Sequence, residues 1–196
     1  MISRGVCWNR EGYPTVNDSK TDDGSGSGTL TDLTSGTVSV NFKFRNSDSD
    51  IEPIVYFGES DAGSPHKSLI IEVGHKMDLN DRKLYFTIVN KRFCFDSNKN
   101  LEENKWYHFV AVVSTSGNTG YLNGIEMKDR HYNLGSDSTY TDFFASVPVK
   151  EIFTLGYGRY GMCDDFFSLD GLISDFRVYN RALSALEVNE LYIKMQ

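Results

Sequence analysis

Between Thr37 and Arg45 the side chains alternate without a break, with Val38, Val40, Phe42 and Phe44 on one side and Ser39, Asn41, Lys43 and Arg45 on the other. A period of two belongs to a pleated strand with one buried and one wet face, and a helix cannot gather that pattern into a stripe. Further strand-like segments follow at 53–57, 68–73, 83–89, 92–95, 106–113, 120–122, 125–128, 152–156 and 172–179, with Asn, Gly, Asp and Ser between them. Strands recurring roughly every 8–12 residues with turn chemistry between them predict an all-β sandwich or barrel rather than alternating βαβ units. Thirteen Phe, eleven Tyr and seventeen Gly against four Pro suit such a chain, and 196 residues suffice for one well-buried core.

Two local signals fix details. Asn123-Gly124, flanked by Tyr121-Leu122 and Ile125-Glu126, predicts a tight hairpin, because a type I′ turn needs positive φ at both central residues. Ser184-Ala185-Leu186-Glu187 predicts a short C-terminal helix, because the Ser hydroxyl and the Glu carboxylate can each satisfy an orphan N–H in a capping box.

Charge narrows the partners. A net charge of -7 supplies no basic field for nucleic acid or an anionic membrane. There is no apolar run of membrane-spanning length, and Met1 to Gly5 carries no apolar signal core. An excised module of an exported protein and a cytosolic chain are both compatible with that. Cys7, Cys94 and Cys163 stand far apart without CxxC spacing, which argues against zinc, and their odd number leaves at least one thiol free. Cys94, between Phe93 and Phe95, is expected as a small buried hydrophobe. Asp164 and Asp165 should make Cys163 a poor nucleophile.

Residues 17–36 are mostly Ser, Thr, Asp and Gly and read as turns or linker. We therefore expect a segment 1–36 followed by a sandwich at 37–196. The run GVCWNREGYPTVNDSKTDDGSGSGTLTDLTSGT resembles part of a fibronectin type III-like repeat of Bacteroidetes surface proteins.

Two longer stretches resemble laminin G-like domains of the concanavalin A-like lectin/glucanase superfamily. NKWYHFVAVVSTSGNTGYLNGIE is similar to that family's Trp-His-aromatic-Val strand and Asn-Gly hairpin, and FTLGYGRYGMCDDFFSLDGLISDFRVYNRALSALEVNELY to its closing strands and terminal helix. The resemblance implies an antiparallel jelly-roll β-sandwich with a short C-terminal helix. It also implies a non-catalytic carbohydrate-binding or adhesion module of a larger secreted or cell-surface protein, with a glycan or a cell-surface protein as partner. A protein-binding or structural module without sugar affinity and a degenerate polysaccharide-active enzyme are the alternatives.

The enzyme is the weakest of the three. Retaining glucanases of this superfamily need Glu-x-Asp-x-x-Glu on one strand, so that two carboxylates flank the glycosidic bond. The nearest match, Glu59-Ser60-Asp61-Ala62-Gly63-Ser64, ends in Ser64 and reads as a turn. A calcium ion is a candidate cofactor, and the resemblance points to Asp175, at the Gly-x-Ile-x-Asp position, as its ligand. The other reading of Asp175 is a carboxylate bonded to a nearby Arg or to backbone. Loop positions supply the sugar-site candidates: Tyr157, Arg159, Tyr160, Asp164 and Asp165 in one, Tyr132 and Tyr140 in another, against the plain reading that Tyr is common on wet loops. Trp106, opening an apolar strand, is expected to anchor the core, and His108 to pack or cap.

Overall fold

The computed structural model describes residues 30–45, 51–59, 67–74, 81–88, 92–160 and 165–195. Its strands are β1 Gly36–Phe44, β2 Glu52–Gly58, β3 Leu69–Val73, β4 Leu84–Ile88, β5 Phe93–Asp96, β6 Tyr107–Ser114, β7 Gly117–Leu122, β8 Ile125–Glu126, β9 His131–Asn133, β10 Ile152–Leu155, β11 Tyr157–Tyr160, β12 Asp165–Ser168 and β13 Gly171–Tyr179, followed by helix α1 Ala185–Ile193. A five-stranded sheet runs β13-β1-β6-β7-β8 and a six-stranded sheet runs β10-β2-β3-β4-β5-β9, while β11 and β12 pair as a separate ribbon. The pairings are antiparallel. This is the expected all-β sandwich.

The alternation in β1 does what its period requires. Val38, Val40, Phe42 and Phe44 are fully buried against Phe86, Phe95 and other side chains of the facing sheet. Leu33 joins the same core, and its carbonyl accepts from the backbone N–H of Ala145. The sandwich packing thus includes residues before Thr37. The run resembling a fibronectin repeat lies, up to residue 29, outside the described residues.

Part of the outward face of the five-stranded sheet is covered by α1 and its lead-in. Val110 and Val112 of β6 and Tyr121 of β7 form a second small cluster with Leu183 and Val188. Thr37 Oγ1 accepts from the N–H of Leu183 and donates to the carbonyl of Arg181, tying the helix lead-in to β1. The capping box is formed: Ser184 Oγ accepts from the N–H of Glu187, and Glu187 Oε2 accepts from the N–H of Ser184. The Arg181 guanidinium, 2.6 Å away, and the Ser184 bonds hold the Glu187 carboxyl down at about 2. Ser184→Ala is expected to lower the unfolding free energy by about 1 kcal/mol. Urea titration checks this, and an unchanged midpoint would show that α1 is held by packing alone.

The Asn-Gly hairpin also forms, with φ of 52° at Asn123 and 75° at Gly124. Trp106 differs from expectation. It precedes β6 and is 48% exposed, with Lys43 Nζ 5.6 Å from its ring centroid. The inward positions of β6 go instead to Tyr107, Phe109, Ala111 and Val113, which leaves the Trp106 ring at the surface.

Candidate functional site

The candidate residues read from the sequence do not assemble into one site. Tyr157, Arg159 and Tyr160 lie in β11 and Asp165 opens β12, so this stretch is a hairpin ribbon and not a loop. Asp164 lies outside the described residues, as do Cys7, Cys163 and the run from Ser60 to Ser64. Tyr132 and Tyr140 belong to the other end of the six-stranded sheet. From edge strand β10 to edge strand β9 there are five spacings, roughly 24 Å at about 4.8 Å each.

Both of these tyrosines are also committed elsewhere. Tyr132 stands at an inward position of β9, edge-on to Phe95 at 6.2 Å; its hydroxyl donates to Asn118 Oδ1 and accepts from Arg130 Nε. Tyr140 packs on Phe93 at 5.7 Å. Both tyrosines are thus partly buried against the core rim, because the short strand β9 draws the segment onto the sheet.

Asp175 occupies a β-bulge. Ser39 pairs with Arg177 and Asn41 with Ser174, so Val40 faces two residues, and Asp175 takes up the strain with φ of 52°. Its Oδ1 accepts from Arg177 Nε at 2.7 Å. Among the described residues no group of three or more His, Cys, Asp or Glu could hold a metal. In this structure the Asp175 carboxylate is thus engaged by a guanidinium.

The outward side chains of the six-stranded sheet form a polar ladder that the sequence reading passed over. Cross-strand register sets Glu72, Tyr85, Asp96 and His131 side by side on β3, β4, β5 and β9. Asp96 is 1% exposed, and its Oδ2 accepts from Asn133 Nδ2 and contacts His131 Nδ1 at 3.2 Å. Asp81 accepts from the Tyr85 hydroxyl. Glu72 is 5% exposed, and its Oε2 has no hydrogen-bond partner. Burial first, and Asp81 second, hold its carboxyl well above the usual range. Cys94 on the same face donates to nothing charged, and burial pushes its thiol up to about 12, so it is inert. Glu72, Tyr85 and Asp96 are closed from solvent, and exposed His131 ends the ladder at the edge strand. A charged residue inside an apolar strand, such as Glu72 in Leu-Ile-Ile-Glu-Val, is the signal that could have found it.

An open concavity lies on the other sheet. The register β13-β1-β6 places Ser174 opposite Asn41 and Asn41 opposite His108, and Asn123 continues the line in the turn after β7. These four polar side chains form a row across the outward face, about 4.8 Å apart. The last turn of α1 stands over one side with Tyr192, whose ring stacks on His108 at 6.1 Å with planes 7° apart. Half-exposed Trp106 stands at the other. Together they line a cavity of about 400 Å³, within the size range of ligand sites.

The hydrogen-bonding capacity of this row is incompletely used. His108 Nε2 bonds Ser39 Oγ at 2.8 Å, while its buried Nδ1 has no partner. Asn123 Oδ1 accepts from the His108 N–H, which leaves the Asn123 amide N–H groups for another acceptor. Asn41 Nδ2 donates to the Met195 sulfur at 2.7 Å, a weak acceptor. Burial lowers the His108 pKa to about 4, so at neutral pH the ring is uncharged. Among the described residues, no carboxylate, lysine, arginine or thiol lines the cavity. The described lining thus sets aromatic surface beside neutral donors and acceptors.

Comparison with known proteins agrees with this architecture. A laminin G-type family model, described as the concanavalin A-like lectin/glucanases superfamily, matches residues 17–189. A CBM40 domain of a Ruminococcus gnavus IT-sialidase, bound to α2,3-sialyllactose, superposes with a TM-score of 0.65 at 13% identity, covering 83% of this chain and 85% of that one. Domain 4 of an extracellular arabinanase from Geobacillus stearothermophilus, in complex with arabinotriose, gives 0.51 at 18% identity over 81% and 66% of the two chains. A leech intramolecular trans-sialidase gives 0.63 at 18% identity, covering 91% of this chain and 25% of that one. At these identities the likeness shows the fold. No curated protein matches in sequence.

Proposed function

Because the chain belongs to the concanavalin A-like lectin/glucanases superfamily, we propose that it is a non-catalytic carbohydrate-binding module of a larger secreted or cell-surface protein, binding glycan in the cavity between Trp106 and the last turn of α1. The observation that carries this reading is the cross-strand row Ser174, Asn41, His108 and Asn123 in one cavity with a half-exposed indole. Sugar recognition needs an apolar face against the ring C–H groups and donors and acceptors at the spacing of hydroxyls, and a pleated sheet supplies that spacing. The fold neighbours named for bound sialyllactose and arabinotriose support the general class.

Affinity electrophoresis and a glycan array on the whole chain test the reading. At least one glycan should be retained, and Trp106→Ala should weaken retention about 30-fold, the effect of removing an aromatic anchor worth about 2 kcal/mol. Trp106 is half exposed, so the thermal midpoint should move little. A chelator should leave retention unchanged, since Asp175 is held by Arg177. Retention of no glycan would move the reading to a protein-binding module. Release of reducing ends from a retained polysaccharide would revive an enzyme.

A further inference from the structure

Resting on the carbohydrate-binding reading, we infer that the ligand of this cavity is an uncharged saccharide, about a disaccharide in size, and that a sialylated glycan is rejected there. The fold neighbours do not decide this, since one is named for an acidic sugar and another for a neutral one. The cavity lining does.

A carboxylate moved out of water needs a cation or several converging N–H donors, or it loses far more than the contact returns. Among the described residues, none of the lining side chains is a Lys or an Arg. Three cations on flanking segments have partners. Arg177 holds Asp175 at 2.7 Å, Lys105 holds Glu102 at 2.6 Å, and Lys43 lies over the Trp106 ring. His108 shares its Nε2 with Ser39 and is stacked under Tyr192, a setting that disfavours a second charge. The whole chain carries a net charge of -7, a field that opposes approach of any anion.

The same lining suits hydroxyl groups. A hydroxyl both donates and accepts, so it can meet the amide of Asn123 and the hydroxyl of Ser174. Met195 acts as a stand-in: its thioether occupies Asn41 Nδ2 until a better acceptor arrives. Exchanging a sulfur for a hydroxyl oxygen strengthens that bond, and the flexible Met side chain can leave without disturbing the sheet. A cavity of about 400 Å³ lies near the lower end of ligand sites, which suits a chain end rather than a long stretch of polymer.

An array that prints neutral glycans beside the same glycans capped with α2,3-linked sialic acid tests the inference on the whole chain. The expected hits are neutral, with each capped counterpart at least about tenfold weaker. Ser174→Ala and Trp106→Ala should both diminish the neutral hits, and Asn41→Asp, which brings a carboxylate to the row, should not create a sialylated one. Binding of the capped member as tightly as the neutral one overturns the inference and leaves the carbohydrate-binding reading standing. Neutral hits that survive both Ser174→Ala and Trp106→Ala overturn it as well, by placing the sugar elsewhere. Silence across the array overturns both.

Discussion

Phe95→Ala is expected to cost about 3–5 kcal/mol of unfolding free energy, the largest effect of any single truncation considered for this molecule. The ring is 1% exposed and meets Phe86 at 5.4 Å, Phe93 at 6.0 Å and Tyr132 at 6.2 Å. It also reaches across the sandwich to Phe109 of the opposite sheet at 6.4 Å. Opposite it the five-stranded sheet is kept small: Gly120 pairs with Ala111, and a Cβ on Gly120 would lie 2.8 Å from Phe95 Cε2. Gly120→Ala alone should therefore cost about 1–3 kcal/mol by overpacking. In a Phe95→Leu background the methyl group meets less crowding, and the cost should fall by about 1 kcal/mol or more. Urea unfolding of the four proteins in the cycle measures this. Additivity within about 0.5 kcal/mol would show that the two residues are not packed against each other.

Glu72→Gln should stabilise the protein above neutral pH by about 1–3 kcal/mol. In the folded chain burial, and then Asp81, hold the Glu72 carboxyl well above the usual carboxylate range. The folded state therefore binds a proton that the unfolded chain has released, and stability is lost as pH rises from the unfolded pKa through the folded one. Below the unfolded pKa the carboxyl is neutral in both states and the loss is absent. Glutamine is neutral throughout and of the same shape. The difference between wild type and variant should be small near pH 4 and grow with rising pH. Subtracting the two curves removes the titrations of the other groups, which both proteins share. A difference that is flat with pH, or a variant less stable at pH 8, would mean that the buried Oε2 is satisfied in solution. The mechanism is separate from that of Phe95, since one concerns a cavity in the core and the other a proton on the outward face of β3.

Much of the fold was legible in the chain itself because its signals are local. Alternation in β1 assigns Val38 to Phe44 to a buried face, Asn123-Gly124 can hardly do other than turn, and Ser184 with Glu187 caps its own helix. The short strand β9 and the ribbon β11–β12 carry loop-like sequence, because Tyr157 to Tyr160 and His131 to Asn133 lack a clean period of two. Trp106 was misplaced for a related reason: hydrophobicity says that an indole prefers burial, but only the strand's start at Tyr107 decides whether it is inside.

The candidate site belongs to the other category. Ser174 and Asn41 are 133 positions apart, and nothing near either announces the other. Their meeting depends on the register of β1 with β13, shifted by a bulge at Asp175, and on β6 bringing His108 alongside. Likewise the charge state of Glu72 is set by burial among strands that the local sequence does not mention. Periodicity fixes which face a side chain takes, because that is a property of the residue's own strand. Which side chains become neighbours on that face depends on pairing between distant segments, and that information exists only once the sheets have closed.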